Sequence, residues 1–193
     1  DKALARLIHA EIVNRHSNYC DRTDFAGSYN TAVRRDVFLQ LNGFDENFKS
    51  ASAEDNDLCY RLVDAGHAIA FARDAVVDHY HPVALWRYLR TQARHGFWRM
   101  KLYAKHPRRK SGDNYARGAE LWAPVYAVTL LVVSAISTVV PGTIALGATL
   151  LGLMPLLLLY RLNTALRIAR IDRDLPLVFS TLTLFLRDFA RGI

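Results

Sequence analysis

The sequence predicts an α/β layer domain followed by a transmembrane helical hairpin. Three observations predict it. Over residues 1–118, segments whose apolar residues recur at helical spacing alternate with short strand-like runs joined by short links, the pattern of an α/β layer. Behind them, Leu121 to Tyr160 is a run of forty residues without a charged side chain, interrupted in the middle by Pro141-Gly142. A single crossing needs about 20 apolar residues, so the run reads as two spans, about 121–140 and 143–160, joined by a tight turn. The 31 residues from Arg87 to Arg117, just before it, hold ten Lys or Arg against one Asp.

Basic residues crowd the first flank and return after the second span at Arg161, Arg167, Arg170 and Arg173, whereas the turn has no charge. The positive-inside rule then makes this a multi-pass protein of the cytoplasmic membrane, with its first domain (residues 1–118) facing the cytoplasm and residues 119–193 forming the membrane domain. Trp122, Tyr126 and Tyr160 fall near the expected interfaces, and Pro124 and Pro155 are tolerable where neighbours satisfy the freed carbonyls. The apolar stretch Leu175 to Leu186 is too short to cross about 30 Å of hydrocarbon, so the segment 161–193 is expected at the interface or against the hairpin. The competing reading, a buried hairpin in a soluble core, sits poorly with so long an uncharged run.

Elements of the first domain follow in order. Residues 3–18 place Leu4, Leu7, Ile8 and Ile12 on one helical face. Residues 24–33 read as a short strand, with Gly27 allowing close backbone approach. Arg34 to Leu41 is a helix stopped by Asn42-Gly43, with Phe44 as the apolar contact beyond the stop. Ser52 heads a second helix, Asp55 stands three residues on as in a capping box, and Gly66 ends it. Residues 67–72 and 75–79 are strand-like runs split by a turn at Arg73-Asp74. From Pro82 to about Lys105 a long amphipathic basic helix carries Trp86, Leu89, Phe97, Trp98 and Leu102.

The formal charge of +7 is uneven, because residues 42–78 hold eight acids against three bases. An acidic pocket beside a basic collar is expected. Next to a membrane span such a collar meets anionic lipid headgroups, at about 1 kcal/mol per basic residue, in preference to nucleic acid. Cys20 and Cys59 make no disulfide framework and read as packing residues. The opening Asp1-Lys2 lacks a basic-then-apolar leader, and the chain reads as the back portion of a longer polypeptide.

Chemistry concentrates in three places. Glu54, Asp55 and Asp57 lie within four residues at a helix start, where they either complement the helix dipole or supply a general base at the ends of the strands. His79 and His81 flank Tyr80 in an expected strand, so they would point to opposite faces and at most one could join a metal site. Gln92, Arg94, His95, Trp98 and Arg99 lie on the basic helix, either as a solvated or lipid-facing surface or as a clamp on a diphosphate or lipid phosphate.

Taken in order, Gly27 to Arg35, Asn42 to Phe48, Glu54-Asp55-Asn56-Asp57 to Leu62 with Gly66, and Asp78-His79 resemble the rear half of the family 2 glycosyltransferases, which have a GT-A (Rossmann-like) fold. The resemblance covers roughly residues 25–110. It implies an inverting transfer from a nucleotide-diphosphate sugar to a membrane-associated acceptor, either a lipid or a cell-envelope glycan. By the resemblance Asp55 is the catalytic base beside Glu54, and His79 is a ligand of a divalent cation, Mg or Mn. Asn30 and Arg34 would hold donor or acceptor, with Asp57, Gln92, Arg94 and Trp98 as further substrate contacts. The run Gln92 to Trp98 departs from the Gln-x-x-Arg-Trp of processive members at the Arg and Trp positions. The family's Asp-x-Asp belongs to a nucleotide-binding half, and Asp55-Asn56-Asp57 and Asp172-Arg173-Asp174 stand in other contexts, so the chain is expected to be a fragment without activity of its own. A membrane-anchored metal-dependent hydrolase would use the same carboxylates and His, and a non-catalytic membrane adaptor would use the basic helix alone.

Overall fold

The computed structural model describes residues 3–111, 119–140, 142 and 144–192. In chain order the elements are α1 (Ala3–His16), β1 (Arg22–Thr23), α2 (Arg35–Gln40), α3 (Glu54–Asp64), β2 (Ile69–Ala70), α4 (Leu85–Lys105), α5 (Ala119–Ser137), α6 (Ile144–Gly152), α7 (Met154–Ile168) and α8 (Leu177–Gly192). They form two compact units, one from Asp1–Asn14, His81–Gly96 and Ala119–Ile193, the other from Arg15–Tyr80 and Phe97–Gly118. The units therefore interleave along the chain, with one of their boundaries between Gly118 and Ala119.

In the unit around α3, helices dominate over the expected strands. Among the described residues the only sheet is the antiparallel pair of β1 and β2, with Arg22 opposite Ala70 and Thr23 opposite Ile69. The expected strand 24–33 gives way to a tight 3-10 turn at Ser28–Asn30, because Thr31 turns its hydroxyl back to the Gly27 carbonyl at 2.6 Å, and Ser and Asn favour such local bonds. The run 75–79 is not a strand either. Val76 there is exposed, and a lone strand without neighbours has nothing to pair its backbone.

The helix stop at Asn42-Gly43 forms as expected. Asn42 and Gly43 both take positive φ, Asn42 N–H donates to Leu39 O, and Gly43 N–H donates to Phe38 O, the paired bonds of a Schellman end. Phe44 then meets Phe38 edge to face at 5.5 Å. The core beneath joins Val37, Leu58 and Leu62, with a second cluster of Tyr19, Phe25 and Cys59 beside it. Cys59 is a packing residue that also receives the Ala26 N–H on its sulfur at 3.3 Å.

The other unit is a helical bundle. Leu7 and Ala10 of α1 pack on Ala165 and Ile168 of α7 and on Leu184 of α8, while Ala123 and Ala127 of α5 meet Leu157. α4 approaches α8 so closely at Gly96 that a Cβ there would come within 1.9 Å of the Arg191 carbonyl oxygen. Arg6 clasps Asp172 from α1, which gives Asp172-Arg173-Asp174 a bundle-closing contact.

The two-span hairpin is not shown by the described residues. α5 is the one described helix long and apolar enough to cross a membrane, over Glu120–Ser137. The second apolar run breaks at Leu153 into the nine-residue α6 and a separate α7. Pro155 is the cause, because it has no N–H to donate and suits the first turn of a new helix better than the middle of an old one. Of the two places expected for residues 161–193, the described residues take the packed one: α7 runs on through Arg161 to Ile168, and α8 packs along α7 and α5.

Candidate active site

The acidic start of α3 is built on an unusual backbone. Ala53, the residue before the helix, is held at φ 74, a left-handed conformation that costs a residue with a Cβ about 1–2 kcal/mol. Ser52 does not cap the helix as expected. Its backbone N–H instead donates to Glu54 Oε2 at 2.5 Å, and its buried hydroxyl finds no protein partner. Glu54 is thus committed to closing the turn that carries it.

Asp55 is placed differently. Half-buried, it accepts the Asn56 N–H at 2.8 Å on one oxygen and approaches the Ser28 N–H at 3.4 Å with the other. Burial raises its pKa above the usual carboxylate range, and the neighbouring Glu54 charge adds to the rise. A carboxylate whose charged form is disfavoured at a helix start, with one oxygen held only at 3.4 Å, is suited to accept a proton.

Asp57 is fully buried and does not reach an open surface. Its Oδ2 takes Arg61 Nε at 2.8 Å, and its Oδ1 takes Lys105 Nζ at 2.6 Å and His106 Nε2 at 2.8 Å. Burial alone would raise its pKa, but the bonds from His106, Lys105 and Arg61 outweigh it and leave the carboxyl below its ordinary value. Arg61 also donates to the Leu41 and Gly43 carbonyls, each at 2.6 Å, so the charge cluster ties α3 to the end of α2.

The remaining candidates scatter. Asn30 donates to the Ala75 carbonyl at 2.8 Å, and Arg34 pairs with Asp36 on the surface. His79 stands edge-on to Tyr29 at 5.7 Å, while His81 lies 6.0 Å from His9. The expected division of the two histidines by strand alternation lapses with the strand. Gln92 is buried in the bundle unit, where it accepts from Arg191 Nε at 2.7 Å, and Arg94 there is exposed. Trp98, in the α3 unit, tilts against Phe48 at 5.7 Å under the Lys101 ammonium. These rings wall a cleft of about 390 Å³ with Asp45, Asn47 and Lys105. Among the described residues no three of His, Cys, Asp and Glu converge on a point that could hold a metal.

Sequence reasoning missed the buried cluster. The spacing of Asp57 and Arg61, four apart on a helix, signals that pair. Lys105 and His106 carry no local signal, because they reach Asp57 from the far end of α4. A sequence model of the family described as glycosyltransferase like family 2 matches residues 8–97, which include the whole of α3. No match was found among curated proteins or among solved structures.

Proposed function

Because residues 8–97 match the model of the glycosyltransferase-like family 2, we propose that the start of α3 is the base end of an inverting sugar transfer from a nucleotide-diphosphate sugar. The observation that carries this reading is the contrast between neighbours: Glu54 is spent on the Ser52 N–H, while Asp55 is half-buried with a raised pKa. In the step proposed, the acceptor hydroxyl oxygen attacks the anomeric carbon as the bond from that carbon to the diphosphate breaks. The proton passes to an Asp55 oxygen, the nucleoside diphosphate leaves with the bonding electrons, and configuration inverts.

The cleft beside Phe48 and Trp98 is our candidate for acceptor contact. Ring faces suit the C–H face of a sugar, and Asp45 and Asn47 can take hydroxyl hydrogen bonds. Asp57 acts in this reading as a support that fixes α3, and Asn30 and Arg34 as edge residues of the same unit. The described residues do not by themselves compose a site for Mg or Mn, so no step is routed through one. His79 would supply one ligand at most. The acceptor would be a lipid or envelope glycan at a membrane that α5 enters, and the chain would act as part of a larger transferase. The test is Asp55→Asn in the parent enzyme with an added acceptor. Retained donor binding with lost transfer supports the base, and donor consumption that needs no acceptor would favour a hydrolase.

A further inference from the structure

α7 and α8 expose large apolar side chains while burying charged and hydroxyl ones beside Leu157, Ala165, Ile168 and Leu184. On α8, Val178, Leu182 and Leu186 recur every four residues and stand outward, Val178 with 72% of its surface exposed and Leu182 with 48%. The opposite side of the helix buries Ser180, Thr183, Arg187 and Asp188. α7 repeats the pattern, with Leu156, Leu159 and Leu166 outward and Arg161 and Thr164 inward. Arg161, Arg187 and Asp188 have no exposed surface at all.

The buried charges are closed on one another. Arg161 Nε and Nη2 hold Asp188 at 2.6 and 2.5 Å, and Arg161 Nη1 holds Glu120 at 2.6 Å. Arg187 Nη1 donates to both Glu11 oxygens, at 2.5 and 2.6 Å. In water this distribution is unfavourable twice over, because the leucines gain nothing by exposure and the ions forfeit hydration worth several kcal/mol each. In hydrocarbon it is the favourable one. Leucine is as apolar as a lipid tail, and charges inside a bundle must face inward and pair.

We propose that the outer faces of α7 and α8, with the groove of about 250 Å³ that they frame at Leu158, Leu159, Leu162, Val178 and Leu182, are seated in the acyl-chain region of a bilayer. Two features name lipid as the occupant. α5, the apolar helix that packs along α8, also exposes Val125, Leu131, Val132 and Ile136. The α7 end of the surface carries the exposed Arg167, Arg170 and Arg173, placed to meet anionic headgroups. At 15 and 16 residues, α7 and α8 are each about 23 Å long at 1.5 Å per residue, short of the ~30 Å hydrocarbon, so they embed without crossing. This deepens the membrane reading of α5 and does not depend on the role of Asp55.

The test uses the full chain with Cys20 and Cys59 replaced by Ala and single nitroxide labels at Leu159→Cys, Val178→Cys, Leu182→Cys, Ile136→Cys and Asn47→Cys. The protein is reconstituted in phosphatidylcholine vesicles containing phosphatidylglycerol as the minority lipid. Power saturation then compares collision with oxygen, which concentrates in hydrocarbon, and with a water-soluble nickel chelate. Labels at 159, 178 and 182 are expected to collide with oxygen and lose collision with nickel, while the label at 47 does the reverse. Nickel collision at 159, 178 and 182 with oxygen collision kept at 136 overturns the proposal and leaves α5 in the membrane. Nickel collision at 136 as well removes the membrane reading altogether. Low collision with both reagents, together with dipolar broadening between labels, overturns it in favour of a second copy covering the face.

Discussion

Asp57→Ala removes the acceptor on which Arg61, Lys105 and His106 converge in the α3 unit. The side chain has no exposure, and deleting one member of a buried charge cluster costs about 3–5 kcal/mol because the partners are left uncompensated. The surroundings moderate that figure. Arg61 keeps its two carbonyl acceptors at 2.6 Å, and Lys105, 39% exposed, keeps Asp45 and reaches water. His106 loses its carboxylate and is only 11% exposed. The lower end, about 3 kcal/mol, is therefore expected. Urea unfolding followed through Trp98, with Trp86 and Trp122 changed to Phe, reads this unit. With a slope of roughly 1.5 kcal/mol per molar, the midpoint should fall by about 2 M. Arg34→Ala, which breaks an exposed pair, should leave the midpoint nearly unchanged. A shift of comparable size for Asp57→Ala and Arg34→Ala would refute the claim that the buried cluster holds α3 to α2. The sign with pH is fixed as well. Asp57 is held below its ordinary pKa, so its contribution is complete above the unfolded carboxylate value, about 3.9, and is lost as pH falls through the depressed folded value. Asp45, which Lys105 lowers to about 2, weakens over the same acid window, and the Asp57→Ala protein should show a shallower acid loss than the parent.

In the parent transferase Asp55→Asn should lower turnover at least about 100-fold with donor binding kept, as measured by product formation and by titration with donor. Glu54→Gln should act mainly on stability, because its carboxylate holds the Ser52 N–H. The raised pKa of Asp55 means that its charge opposes folding at neutral pH and that this penalty fades as pH falls through the folded value. Asp55→Asn should therefore unfold at higher urea than the parent at pH 7. Ala53→Gly should stabilise the α3 unit by about 1 kcal/mol in the same titration, since glycine adopts positive φ without a Cβ clash. His79→Ala should raise the Mg or Mn concentration needed for half-maximal transfer by the parent, and His81→Ala should leave it unchanged, because only His79 shares the α3 unit.

What the sequence made legible was whatever depends on neighbours in the chain. The Asn42-Gly43 stop, the Gly66 stop with its φ of 85 and the packing role of Cys59 follow from local rules, and the structure has all three. The resemblance to the family was legible from motifs in order, and the family model matches residues 8–97. Of the expected strands only the run 67–72 holds one, β2, because a strand exists by its partners and residues 24–33 and 75–79 lack them here. The second span misled for a related reason. Hydropathy is blind to Pro155, which starts a helix, and to Arg161, which the bundle buries with Asp188. In the candidate site, the acids of α3 were visible as a cluster, but their separate fates depended on contacts from outside the helix. Ser28 meets Asp55 and His106 meets Asp57, from 27 and 49 residues away.

The buried ion cluster of the bundle also sets an order of events during synthesis. Arg187 reaches Glu11 across 176 residues, and Arg161 waits 27 residues for Asp188. Until α8 has left the ribosome, Glu11, Glu120 and Arg161 have only part of their final company, and closing so distant a pair is slow compared with forming a helix. A nascent chain stopped before Arg187 would expose two carboxylates without that guanidinium partner. α8 thus brings one cation and one anion, which leaves the net charge of the cluster unchanged but gives Glu11 and Arg161 the partners that make their burial tolerable.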